Sequence, residues 1–192
     1  MSAGGSYVLA MILFKRKNMN HRLTKGAPPG FLGTPSDTRW MDAKLFVKYM
    51  TYFIAHTMPS ENHQLLVVFD GHRSHTSLEV VELAKQHHIT LLTLPRHTIH
   101  RLQPLDVSFF WPLQNVFNKD MVKWMTNHPG KRVIDYDFYY IFSLPYLRVV
   151  IAEKAIKGFA CTEIYQFNTD IFNPDDFAPS SIYDRTTVTT FN

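Results

Sequence analysis

Five consecutive apolar residues, Leu65-Leu-Val-Val-Phe69, end abruptly at Asp70. The continuous run predicts a strand covered on both faces, because a half-exposed strand alternates apolar and polar positions. Leu65 to Phe69 is followed by Ser77 to Gln86, with Val80, Val81 and Ala84 on one helical face, and then by Ile89 to Leu94, a second apolar run stopped by Pro95. A strand–helix–strand order of this length predicts parallel pairing and a layered α/β domain. Asp70 therefore falls at the carboxyl end of a buried strand, where open α/β sheets bind their ligands. Gly71 beside it suits a sharp turn or the close approach of a phosphate. The other role open to Asp70 is to hold the turn or cap the next helix.

The preceding residues supply a further helix. Phe46, Tyr49, Met50, Phe53, Ile54 and Thr57 share one face over Asp42 to Thr57, with Pro59 and Ser60 ending it. Tyr7 to Phe14 reads as a strand and Phe31 to Thr34 as a short one. Gly26-Ala-Pro-Pro-Gly30 is loop. Val107 to Trp124 forms a long amphipathic helix, with Pro112 kinking it or marking its first proper turn. Asp135 to Phe142 and Pro145 to Ala155 read as two more helices. Residues 1–180 make one domain, followed by a polar tail over 181–192. A single cysteine, Cys161, excludes an intrachain disulfide, and its surroundings favour packing over nucleophilic chemistry. No stretch is long and apolar enough for a membrane span.

Charge is unevenly spread. The net charge is +4, yet residues 1–36 carry Lys15, Arg16, Lys17, Arg22 and Lys25 with no acid, leaving the remainder near −1. A basic segment on a near-neutral body fits a polyanionic partner. Lysines guarding a strand edge would produce the same pattern.

Asp106 is the second carboxylate of interest. It lies in Gln103-Pro-Leu-Asp106, at the start of the aromatic-rich helical stretch. A helix N-cap explains it in isolation. Paired with Asp70 it offers two carboxylates, one from a strand end and one from a helix start, to a divalent ion. Magnesium favours such oxygen ligands. A rival chemistry uses His72, His75, His97 and His100, which bracket the same region as two pairs spaced three apart and could bind zinc. That spacing lacks both the helical HExxH pattern and any cysteine pair.

Val67-Val-Phe-Asp-Gly-His-Arg-Ser-His75 with Leu94-Pro-Arg-His-Thr-Ile-His-Arg-Leu-Gln-Pro-Leu-Asp106 resembles the DDE superfamily endonuclease domain of pogo, Tigger and jerky-type transposases and their domesticated relatives. Ala27-Pro-Pro-Gly30, Trp40-Met41 and Lys157-Gly-Phe159 resemble further segments of that family. The resemblance implies an RNase H-like three-layer α/β fold, an acidic triad binding two Mg²⁺ or Mn²⁺ ions, DNA as the partner and a nuclear location. It makes Asp70 the second acid and Asp106 the third, both metal ligands, with His75 a positioning group. The family's first acid sits on a strand that would precede residue 1, and residues 1–36 offer no substitute. The expectation is a domain without its first strand and without catalytic activity by itself, or a non-catalytic DNA-binding module.

Overall fold

The computed structural model describes residues 1–168 and 170–178. The tail expected over 181–192 lies outside the described residues. Among the described residues, four strands form two separate parallel pairs. β1 (Met11–Lys15) pairs with β2 (Leu32–Ser36), starting at Met11 against Leu32. β3 (Leu65–Phe69) pairs with β4 (Ile89–Thr93), starting at Leu65 against Ile89. Parallel neighbours need a crossover. β1 reaches β2 through a short 3₁₀ turn, His21–Thr24, whereas β3 reaches β4 through α2 (Leu78–Gln86). The single layered sheet expected from the strand order thus resolves, among the described residues, into two small sheets.

α1 (Ala43–Thr57) begins where its chemistry dictates. The Asp42 side chain accepts from the Leu45 backbone N–H at 2.8 Å, satisfying one of the unpaired donors of the first turn. It ends at Met58, left-handed at φ 46°, whose N–H closes on the Ile54 carbonyl at 2.8 Å. Phe46 and Met50 turn inward and meet Val80, Ala84 and Ile89 in one core, with Leu65, Val67 and Leu91 packed against it. That core covers one face of the β3–β4 pair. The opposite face does not match the expectation of a strand buried on both sides, since Leu66 is 57% and Leu92 46% exposed. The apolar run was continuous, but α1 and α2 both pack on the same side.

The long helix expected over Val107 to Trp124 is two helices. α3 (Ile99–Leu102) and α4 (Pro104–Ser108) are single turns, and α5 (Phe110–Asn127) follows them. The chain breaks at Phe109, whose ring is buried with Tyr146 and Val149 in a second core. Burying one large ring at the junction takes precedence over helix continuity. Pro112 stands third in α5, within the first turn, where its missing N–H costs no helical bond.

Pro145 does not start a helix as expected. It lies inside α6 (Phe138–Val149) and is buried there. Aromatic packing carries the helix through it: Phe138 and Phe142 stack at 4.8 Å, and Phe142 meets Tyr146 at 5.5 Å. The break comes later, before α7 (Ala152–Cys161). Cys161, expected to be packed, is exposed at the end of α7. A third cluster joins Phe14 of β1, Leu23 of the 3₁₀ turn and Tyr139 of α6, fastening the basic N-terminal segment to the helices.

Candidate active site

Asp70 follows the last residue of β3, and the ladder closes beside it with the Leu94 N–H donating to the Phe69 carbonyl at 2.9 Å. Its Oδ1 accepts from the His72 backbone N–H at 3.0 Å, so the carboxylate itself holds the turn. Gly71 is not needed for that turn. It does not lie at positive φ, and a Cβ there would make only ordinary contacts, the nearest being Thr93 Cγ2 at 3.8 Å. The polar side chain of Asp70, not a glycine, shapes the bend.

The same Oδ1 lies 3.0 Å from Nδ1 of His75, a close contact whose geometry falls short of an aligned hydrogen bond. The imidazole is wedged against Phe46, centroids 4.2 Å apart, and Phe69, 5.2 Å apart. Burial lowers the His75 pKa, and the Asp70 charge acts in the opposite sense. The ring is thus a largely buried group packed beside the Asp70 carboxylate. The His72 ring lies 5.5 Å from that of His75, and its Nδ1 meets Ser74 Oγ at 2.7 Å.

Asp106 occupies the third position of α4. The N-cap is Gln103, and among the described residues no donor bonds the Asp106 carboxylate. Helix capping therefore does not account for it. Burial raises its pKa, and the Asp70 charge raises it further. The charge of Asp70, from a separate element, thus opposes ionisation of Asp106. α4 is held in place from behind by α7. A Cβ on Gly158 would fall 2.4 Å from Ser108 Oγ and 2.9 Å from the Pro104 carbonyl oxygen, so only glycine lets the two helices approach this closely.

His100 is engaged elsewhere. His100 Nε2 contacts the Asp176 carbonyl at 3.2 Å, and Arg101 pairs with the Asp176 carboxylate. Among the described residues, no group of three or more His, Cys, Asp and Glu side chains is arranged to hold a metal, so the four-histidine zinc alternative finds no support.

The basic residues expected to meet a polyanion divide into two sets. Lys15, Lys17 and Lys25 are exposed. Arg16 Nε lies 3.4 Å from Asp135 Oδ2, and Arg22 sits 5.2 Å above the ring centroid of Tyr136. The partners Asp135 and Tyr136 stand more than a hundred positions away and carry no local signal in the sequence.

Residues 1–137, which include both carboxylates and the whole basic segment, match the family model described as DDE superfamily endonuclease. The chain belongs to this family. The family implies a nuclease lineage with nucleic acid as substrate and divalent metal as the usual cofactor. A curated relative, the MFS-type transporter clz9 of Cochliobolus lunatus, is 35% identical over 94 residues, covering 48% of this chain. That stretch is 10% of the relative, so the chain spans only a small part of that protein's length. Among the described residues no helix is long and apolar enough to cross a membrane. No solved structure matches the chain.

The donor set fits a hard divalent cation, since two carboxylate oxygens are what magnesium and manganese prefer. A cation between Asp70 and Asp106 would remove their mutual repulsion. Two side chains supply only part of a coordination shell, and no third carboxylate joins them among the described residues.

Proposed function

We propose that Asp70 and Asp106 are two acidic ligands of a DDE-type endonuclease site and that the chain binds DNA through Lys15, Arg16, Lys17, Arg22 and Lys25. The observation that carries this reading is the raised pKa of Asp106, caused by burial and then by the Asp70 charge, with no compensating donor among the described residues. A carboxylate lifted by burial and by a second carboxylate's charge is the kind of group that a divalent cation would neutralise, which supports the reading. Mg²⁺ or Mn²⁺ held there would supply Lewis-acid activation of a phosphodiester oxygen. The chain's own residues do the positioning. Asp70 is fixed by the His72 N–H and the His75 ring, and Asp106 by the packing of α4 on α7. The three-layer RNase H-like arrangement belongs to the same proposal, with Asp70 and Asp106 at its active edge.

With two acids rather than three, these 192 residues by themselves are expected to bind DNA without cutting it. Purified chain incubated with supercoiled plasmid and Mn²⁺ should leave it intact. Binding to a labelled duplex should weaken steeply with salt, with a slope reduced by about one for each phosphate-contacting lysine replaced by alanine. Nicking that disappears in Asp70→Ala and Asp106→Ala would overturn the inactivity. Salt-independent binding would overturn the basic segment as the DNA contact.

A further inference from the structure

Three arginines from three segments gather around Asp135 and its neighbour Tyr136. Arg16 follows β1, Arg22 lies in the 3₁₀ turn His21–Thr24, and Arg39 lies between β2 and α1. Arg16 Nε is 3.4 Å from Asp135 Oδ2, and Arg39 approaches Oδ1 at 3.5 Å. Arg16 also reaches the Tyr136 hydroxyl at 3.3 Å, and the Arg16 and Arg22 guanidinium carbons lie 4.9 and 5.2 Å from the Tyr136 ring centroid. The contacts to Asp135 are long and single. Well-matched guanidinium–carboxylate pairs are bidentate, at about 2.7–2.9 Å. One planar carboxylate thus meets two of the three guanidiniums, each through a single long contact, and Arg22 lies over the Tyr136 ring instead. Arg39 is 61% exposed, and Arg22 is exposed as well, so the corner is open to solvent.

We infer that Arg16, Arg22 and Arg39, gathered around Tyr136, form a phosphodiester-binding site in which the Asp135 carboxylate stands in for a backbone phosphate. A phosphate offers more oxygens to the same guanidiniums than Asp135 does, and nucleic acid displaces the carboxylate when it binds. Asp135 is therefore a built-in competitor that weakens the DNA affinity of the basic segment. Arg39, Asp135 and Tyr136 thereby join a surface that the sequence assigned to five N-terminal residues alone. The inference rests on the reading of the chain as a DNA binder.

The test is fluorescence anisotropy with a short labelled duplex, at salt concentrations from about 50 to about 200 mM. Asp135→Asn is expected to bind severalfold more tightly than wild type at the lower salt, with a salt slope steeper by about one. Glu61→Gln removes the same charge from an exposed turn without releasing an arginine and should match wild type. Adding Arg39→Ala to Asp135→Asn should erase the gain. An Asp135→Asn protein that binds like Glu61→Gln, or a gain that survives Arg39→Ala, overturns the competitor role while leaving DNA binding itself standing. Absence of salt-dependent binding in both wild type and Asp135→Asn overturns the DNA reading together with the inference. If Asp135→Asn does not melt cooperatively, Arg39→Ala alone decides: weaker binding than wild type supports the site, and unchanged binding overturns it.

Discussion

Replacing Tyr139 with alanine is expected to cost about 3–5 kcal/mol of stability, the range for removing a buried aromatic ring. The side chain is fully buried. Its ring meets Phe138 at 5.4 Å, Phe31 at 5.9 Å and Phe14 at 6.0 Å. Phe14 and Leu23 flank Arg16 and Arg22 in sequence, so the cavity would loosen the basic segment as well as the core. Tyr139→Phe should behave quite differently. The phenol has no hydrogen-bond partner among the described residues, and burial has pushed its pKa up to about 12. Removing an unsatisfied buried hydroxyl is neutral or slightly stabilising. Urea denaturation of the two variants checks both halves. A Tyr139→Phe loss as large as that of Tyr139→Ala would mean that the hydroxyl is bonded and the packing argument misplaced.

Gly158→Val is the second substitution expected to act strongly. The added Cβ would lie 2.4 Å from Ser108 Oγ and 2.9 Å from the Pro104 carbonyl oxygen. The hydroxyl can rotate away, but the carbonyl belongs to the α4 backbone, so α4 has to shift. Overpacking of this kind costs about 1–3 kcal/mol, and occasionally more. Gly158→Ala meets the same obstacle, offset by the better helix propensity of alanine, about 1 kcal/mol. Both should lower the melting temperature, valine more than alanine. Ser108→Ala should not rescue either variant fully, because the Pro104 oxygen remains. Full rescue would locate the conflict in the hydroxyl alone and free α4 from dependence on α7.

Local rules carried the sequence reading a long way in the middle of the chain. The inward face of α1 and the pairing of the two apolar runs at Leu65 and Ile89 as parallel strands are each determined within one or two turns of chain, and both appear as expected. Features set by distant partners were not legible. The break at Phe109 depends on a core shared with Tyr146 and Val149. Passage of α6 through Pro145 depends on aromatic neighbours that outweigh one lost backbone bond. Arg16 and Arg22 look like free surface cations until residues 135 and 136 fold onto them. Gly71 illustrates the reverse error: a glycine beside a site residue suggested a backbone need that the Asp70 carboxylate meets by itself.

The claim that Asp70 and Asp106 form a cation site is tested most directly by thermal unfolding with and without Mn²⁺, on wild type and Asp106→Asn. The raised pKa of Asp106 means that the folded state binds its proton more readily than the unfolded chain does. Stability is therefore diminished above the usual carboxylate range and recovered as pH falls through the raised value. Asp106→Asn, which carries no charge, should melt above metal-free wild type at neutral pH, and the gap should close toward about pH 4. Mn²⁺ should raise the wild-type melting temperature, because a ligand that binds only the folded state stabilises it, and should leave Asp106→Asn unmoved. A wild-type protein indifferent to Mn²⁺, together with an Asp106→Asn variant that melts below it at neutral pH, would contradict the account.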